Sequence, residues 1–404
     1  MTDTLRYYLT GLTTVLFAVD LIQSFFYLPE ADRREESEHM RHSTYFACLF
    51  AFFAAMLFAL NARSLPMMWV AVELTTLFSA PLIAYHRTRG SVEAMWKYLL
   101  ICSCGIGLAL FGTMLFMHAQ TTGNVAWYKA GFAFILAGYG TKTGLAPFHT
   151  WLPDAHSEAP APVSALLSGT LLNCSFFAIA RFRELMPDEA SAFATHSMLA
   201  LGIVSVLTAG VFMVRQTDFK RLLAYSSVEH MGLATILFAL VAARIPSDEG
   251  ECLCDGGILF IALLAHMTFH SATKTMLFLT AGNLLLAFKT RAIAAVQGLR
   301  ETMPGHSMLW VFGILMICGM PPSAIFLSEL ALVASAPIWL SITVLALLFV
   351  VFAAMSRFAL SMAMGTPTAS RPEELPLRLV VMPTILCSAI AVIGAIACIA
   401  TLFM

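Results

Sequence analysis

The sequence predicts an all-α polytopic membrane protein of about twelve transmembrane helices. Of its 404 residues, 59% are hydrophobic and only 12% charged, with a mean hydropathy of +0.81; soluble globular chains carry roughly 25% charged residues. The apolar residues recur in runs of about twenty, the length needed to cross ~30 Å of hydrocarbon. Two of the proline-bearing runs stand out, one with Pro147 and one with Gly319-Met320-Pro321-Pro322.

The expected spans cover residues 5–27, 43–61, 65–85, 93–117, 128–150, 161–182, 196–214, 220–242, 257–287, 307–334, 339–362 and 379–403. Met1 to Asp3 has neither a basic n-region nor a cleavage site, so span 1 is expected to be retained rather than removed as a signal peptide. Spans 9 and 10 exceed a straight crossing, and tilt, a kink or an internal break must absorb the excess. The two spans singled out by these prolines, 5 and 10, are five spans apart, and an odd offset reverses direction. Spans 2–6 and 7–11 therefore read as two inverted five-helix repeats, each with a Pro-broken helix, the usual pointer to a transport path. The chain divides into a first helix and charged loop (1–42), a first repeat (43–182), a second repeat (196–362) and a last helix (379–404), all within one transmembrane domain, 1–404.

Orientation follows from the basic residues of the loops. Six Lys or Arg fall on one side and thirteen on the other, the latter around 33–41, 87–89, 215–221, 289–300 and 371–378. The positive-inside rule makes the thirteen-residue side cytoplasmic and places both termini outside. The net charge of −1 gives no sign of nucleic-acid binding, and the nine cysteines lie mostly within apolar runs, as small hydrophobes.

Ionisable side chains within spans carry the functional signal, because each is costly in hydrocarbon. Span 3 holds Glu73 and span 5 holds Lys142, five residues before Pro147. Span 9 holds His266, His270 and Lys274; span 10 holds Glu329, seven residues past Pro322. The i, i+4, i+8 spacing of the span 9 set puts three groups on one helix face, about 6 Å apart along the axis. Histidine titrates nearest neutrality, so such a row, with water in its gaps, suits proton transfer. The competing readings of the row are a zinc site and interhelical hydrogen bonding. Glu73 and Lys142 are candidates for an ion pair across helices, with a static packing pair as the alternative. Glu229, His230 and Ser168 are accessory candidates, as is Lys97, which is near enough to a span end to snorkel.

Asp20 and Arg357 are isolated and read as structural. Cys252 and Cys254, between Glu251 and Asp255, resemble half a metal or disulfide site and carry little without a second pair. The mixed charges of 30–41 read as a solvated loop. There is no dinucleotide fingerprint, P-loop or cluster-binding cysteine motif, and no soluble domain to hold a redox centre.

Four stretches together resemble a known family. They are Tyr-Gly-Thr-Lys-Thr-Gly-Leu-Ala-Pro-Phe-His-Thr-Trp-Leu-Pro-Asp-Ala-His (139–156), Asp-Phe-Lys-Arg-Leu-Leu-Ala-Tyr-Ser-Ser-Val-Glu-His-Met-Gly (218–232), His270 to Gly282, and Gly-Met-Pro-Pro (319–322) with Ser328-Glu329. In order and spacing they are similar to the antiporter-like subunits of respiratory complex I and Mrp antiporters. Within that family, Trp-Lys-Tyr (96–98), Ser-Ser-Val-Glu (226–229) and the run 154–169 look like the F-type membrane subunit of hydrogenase-4 and formate hydrogenlyase complexes. The resemblance implies that Glu73 and Lys142 match the family's coupling pair. It also implies that His266, His270 and Lys274 match its central proton-transfer row, and Glu329 its terminal site. Three departures stand out. The sequence is expected to lack two spans that usually precede this start, Ser168 stands where the largest relatives carry histidine, and no long lateral helix is expected after Met404.

The function implied is a proton- or Na⁺-translocating subunit of a hydrogenase, formate hydrogenlyase or complex I-like redox complex, in the inner (plasma) membrane of a prokaryote. The chain itself would hold no cofactor; NiFe and iron–sulfur centres belong to partner subunits. Its partners would be the lipid bilayer, other membrane subunits and a soluble redox arm. Competing readings are an Mrp-type cation/proton antiporter subunit, the membrane subunit of an inorganic-carbon uptake system, and a degenerate anchoring subunit.

Overall fold

The computed structural model describes residues 1–34, 39–243, 256–367 and 372–402. Among them every regular element is helical. In chain order they are α1 (Thr2–Arg34), α2 (His42–Asn61), α3 (Leu65–Ile83), α4 (Arg89–Thr122), α5 (Val125–Thr143), α6 (Trp151–Glu158) and α7 (Ala161–Leu166). After a π turn (Leu167–Leu171) follow α8 (Leu172–Glu184), α9 (Asp188–Met213), α10 (Phe219–Ala243) and α11 (Gly256–Phe288). Then come α12 (Leu299–Thr302), α13 (Pro304–Ile317), α14 (Ala324–Ser335), α15 (Ile338–Met364) and α16 (Arg378–Leu402). Ten helices, counting α7–α8 as one, are long and apolar enough to cross a membrane. With α5, and with α13 and α14 taken as the two halves of one crossing, they match the twelve expected spans.

Local chemistry sets several ends. The Thr88 hydroxyl accepts from the Ser91 N–H and starts α4. Gly123, at φ +67°, closes it. Ser323 caps α14 in the same way as Thr88, accepting from the Ile325 N–H. The charged stretch expected as a solvated loop from residue 30 is instead helical as far as Arg34, because the buried Glu30 pairs along α1 with Arg33 and Arg34.

The two proline breaks have one construction. At the end of α5, the Leu145 N–H donates to the Gly140 carbonyl at 2.8 Å and the Gly144 N–H to Thr141 at 3.2 Å. At the end of α13, Met320 donates to Leu315 at 3.0 Å and Gly319 to Met316 at 3.3 Å. Each break thus has a Schellman-type closure on a left-handed glycine, Gly144 at φ +81° and Gly319 at φ +68°. A proline follows three residues later, Pro147 and Pro322. Span 5, expected over 128–150 as a Pro-broken helix, is broken, but before its proline rather than at it. The helix stops at Thr143, and the helix α6 follows the break. Span 9, by contrast, has no break: α11 is one helix of 33 residues, about 50 Å long at 1.5 Å per residue.

Burial ranks the helices. The α7–α8 segment is buried throughout its most apolar stretch and α10 is 83% buried, whereas α15 and α16 are each 33% buried. The first pair forms the middle of the bundle, and the others surround it. Side chains such as Leu100, Ile261, Phe349 and Val392, each more than half exposed, form the outer apolar surface that lipid would cover. Helices approach closely where side chains vanish. A Cβ on Gly138 of α5 would lie 2.5 Å from the Ala109 nitrogen of α4. One on Gly202 of α9 would lie 2.8 Å from the Gly232 carbonyl oxygen of α10.

Candidate functional site

Buried polar groups gather in two clusters on either side of the α7–α8 segment. In the first, Lys142 on the last turn of α5 is fully buried. Its Nζ donates to Thr76 Oγ1 of α3 at 2.9 Å and to the Tyr98 hydroxyl of α4, and lies 4.5 Å from the Tyr98 ring centroid. Ser79 Oγ stands 2.6 Å from the same hydroxyl. Glu73, half-buried one turn before Thr76 on α3, accepts from Ser103 Oγ of α4 at 2.8 Å; its other oxygen is buried without a partner. Glu73 and Lys142 therefore do not touch. Thr76 takes the ammonium instead, while Glu73 turns to α4.

The second cluster lies among α10, α11 and α14. Lys274 Nζ, fully buried, donates to the Leu223 carbonyl and to Ser226 Oγ of α10. His230 of α10 meets both span 9 histidines, with ring centroids 5.2 Å from His266 and 5.1 Å from His270. His230 Nδ1 is 3.4 Å from His266 Nε2, and His266 Nδ1 is 2.8 Å from Ser328 Oγ of α14. Glu229 Oε2 is 3.9 Å from His230 Nε2, and both residues are buried. Both ring nitrogens of His270 are buried and unpartnered. Glu329, next to Ser328, folds back over the break: a Cβ on Gly319 would lie 2.2 Å from Glu329 Oε2.

Between the clusters, Ser168 on the π turn and Ser227 on α10 are 2.7 Å apart through their hydroxyls. No direct hydrogen bond links Lys142 to Ser168 among the described residues. The three histidines form no metal site: among the described residues no group of three or more His, Cys, Asp or Glu is arranged to hold an ion.

At the end of the bundle rich in basic residues, Asp154 of α6 pairs with Lys97 of α4 at 3.1 Å and Arg221 of α10 at 2.5 Å. Lys97 is about half exposed there, away from the buried clusters. Arg291 pairs with Glu158 at 2.6 Å, beside a cavity of about 470 Å³ that also meets His86 and Lys289. Below it Lys220 Nζ donates to the Ser157 and Ala159 carbonyls. The adjoining His156 is fully buried with both ring nitrogens unpartnered, and its ring stacks on Phe278, one turn past Lys274. Arg357 is exposed on α15, its guanidinium 5.9 Å from the Phe358 ring centroid. Cys252 and Cys254 lie outside the described residues.

Sequence reasoning misses Thr76, Tyr98 and Ser103, gives no role to Ser226, Ser227 and Ser328, and passes over His156. Hydroxyls are common in membrane helices and carry no signal until their neighbours are known. His156 has one: it is an ionisable residue in the polar stretch that follows α5, the segment that forms α6.

The match that decides the family spans residues 62–356, which fit the model of the NADH:quinone oxidoreductase/Mrp antiporter transmembrane family. The chain belongs to that family. Within the NADH:quinone oxidoreductase/Mrp antiporter group, it is 39% identical over 316 residues to a Hydrogenase-4 component F homolog of Methylacidiphilum infernorum, covering 73% of this chain and 63% of that protein. It is 31% identical over 338 residues to a Na⁺/H⁺ antiporter subunit of Alkalihalophilus pseudofirmus, covering 80% of this chain and 40% of that one. The chain thus spans less than two thirds of the length of these relatives. The fold is similar to a chain of the Mrp complex from Dietzia sp. DQ12-45-1b, with a TM-score of 0.81 at 18% identity over 97% of this chain and 81% of that one. It is equally similar to a chain of the membrane-bound sulfane sulfur reductase, an archaeal respiratory membrane complex, with a TM-score of 0.81 at 23% identity over 96% and 79%. These relatives and neighbours are antiporter-like subunits of multisubunit membrane complexes.

Proposed function

We propose that the chain moves protons across a prokaryotic plasma membrane as the membrane subunit of a hydrogenase-like redox complex, with the basic-rich end in the cytoplasm. NiFe and iron–sulfur centres in partner subunits would supply the driving reaction. The observation that carries this reading is the pair of fully buried lysines, Lys142 and Lys274, each held by neutral oxygens in place of a carboxylate. A static charge in that position is costly. Hydroxyls and carbonyls can hold an amine in either protonation state, because a hydroxyl accepts from the ammonium and donates to the free amine.

The order of groups gives the route. A proton from the basic-rich end passes near Lys220 and His156 into the row. A negative charge on Glu73 holds the Lys142 ammonium at a distance through α3, and neutralising Glu73 frees that proton. The hydroxyls of Ser168 and Ser227, with water, bridge toward Lys274. From there Glu229, His270, His230, His266 and Ser328 lead to Glu329 at the second break. The mirrored closures at Gly144 and Gly319 support two repeats over 43–182 and 196–362, each contributing one cluster.

The similarity to the Na⁺/H⁺ antiporter of Alkalihalophilus pseudofirmus favours a second reading, in which the chain exchanges protons for Na⁺. Affinity purification from native membranes separates the two. Co-purification of NiFe and iron–sulfur subunits is the expected result. Recovery of small membrane partners alone, with Na⁺-dependent proton release from vesicles, would overturn the redox assignment.

A further inference from the structure

Asp20 of α1 lies outside both clusters, is fully buried, and has neither carboxylate oxygen hydrogen-bonded. An ionised carboxylate in that state is strongly disfavoured unless something neutralises it, and no ion pair among the described residues includes it. One turn further, Ser24 donates to the Asp20 carbonyl at 2.7 Å, and its Oγ stands 3.1 Å from the Tyr45 hydroxyl of α2. The buried Tyr45 ring meets the Tyr85 ring edge-on, with centroids 5.4 Å apart. The Tyr85 hydroxyl donates to both oxygens of Asp32, at 2.8 and 3.0 Å. Asp32 sits near the basic-rich end of α1, with His42 Nε2 at 2.6 Å and His39 Nε2 at 3.4 Å; the two histidines are 44% and 35% exposed. A line of polar groups thus runs from that surface to Ser24, one turn from the Asp20 carboxylate, with a ring contact as its Tyr85–Tyr45 link.

Toward the interior the line stops. Leu16, one turn before Asp20, packs on the π turn, where a Cβ on Gly169 would lie 3.8 Å from its Cδ1. Gly169 follows Ser168 on that turn, so Leu16 lies between α1 and the segment that carries Ser168. Among the elements packed on this part of α1, α2 carries Tyr45 and Cys48, α8 carries Cys174, and α16 carries Cys387 and Arg378. The α7 helix and the π turn carry no titratable group, while Lys274 of α11 is engaged by α10.

We propose that Asp20 is a proton-binding site outside the central row, loaded from the basic-rich end through Asp32, Tyr85, Tyr45 and Ser24. A proton delivered by the His42–Asp32 pair replaces the one Tyr85 passes inward. Rotation of a tyrosine ring, or a water beside the paired rings, hands it to the Tyr45 hydroxyl, and Ser24, turning from the Asp20 backbone carbonyl, completes the transfer to the carboxylate. The net change is one proton taken from the surface and one carboxylate neutralised. This site stands whether or not the Lys142–Lys274 row conducts.

The test is infrared difference spectroscopy on the purified full-length protein in lipid. A carboxylic acid C=O band that is lost in Asp20→Asn, moves in Asp20→Glu and shifts on transfer to D₂O is expected. Lys142→Ala should leave it in place, which keeps the result independent of pumping. In Tyr85→Phe the deuterium shift should slow roughly tenfold, the equivalent of the ~1.4 kcal/mol of one lost hydrogen bond. Absence of any band assignable to Asp20, or its disappearance on adding NaCl, would overturn the proton site, the latter in favour of a bound cation. Unchanged exchange rates in both Tyr45→Phe and Tyr85→Phe would overturn the route.

Discussion

Lys142 and Lys274 are solvated by the protein in the same manner on different helices, the one by Thr76 and Tyr98 and the other by Ser226 and the Leu223 carbonyl. A hydrogen bond to a charged group contributes about 1.5–3 kcal/mol. Tyr98→Phe removes one such bond and keeps the ring that packs on Trp151 at 4.9 Å. We therefore expect Tyr98→Phe to slow proton movement tenfold or more in vesicle acidification assays while the protein still assembles, and unaltered rates would mean that Tyr98 only fills space. Ser168→Ala tests the link between clusters in the same assay. Loss of the contact with Ser227 should lower the rate, and Ser168→Thr, which keeps a hydroxyl, should restore most of it. The ionisable members of the site are legible as residues, because a charge in an apolar run is visible without a structure. Their partners are not: the sequence suggests that Glu73 and Lys142 touch, and only the helix rotation that turns Thr76 toward α5 and Glu73 toward Ser103 separates them.

The two broken helices place the site. Each ends on a left-handed glycine with the same pair of carbonyl-closing hydrogen bonds, and each frees backbone and side-chain groups in mid-bundle. At Gly319 a side chain is disfavoured by φ +68°, and its Cβ would push aside the end of the Glu329 side chain. A left-handed residue other than glycine costs roughly 1–2 kcal/mol, so Gly319→Ala should lower stability by about that amount. It should also displace Glu329 and depress proton movement beyond the loss of folded protein, as read by comparing activity with thermal unfolding. Gly144→Ala, where Leu152 Cδ1 is 2.5 Å from the Cβ position, should destabilise without touching Glu329. Proline marks both breaks in the sequence, but the stopping point depends on glycine. The Schellman closure ends α5 at Thr143, several residues before Pro147, and leaves α6 as a separate helix. The π turn at Leu167–Leu171 contains Ser168, Gly169 and Thr170, weak helix formers that loosen a helix without specifying a π register, and it packs against α1 and α11.

Across the whole molecule, the bundle keeps its ionisable groups around one fully buried segment, α7–α8, and turns apolar side chains outward. Composition and run length are enough to read the span count and fold class, because hydrocarbon imposes both. They cannot reveal which helices are central, since a buried helix and a lipid-facing one are equally apolar. The proposed line from Lys142 through Ser168 and Ser227 to Lys274 and Glu329 crosses that centre, and continuity along it is the core of the proposal. The most direct test is proton translocation by the purified complex in proteoliposomes, measured together with its redox turnover, in Lys142→Ala and Lys274→Ala. The account predicts that either substitution abolishes translocation while the complex still assembles; translocation at the unsubstituted rate in both would contradict it.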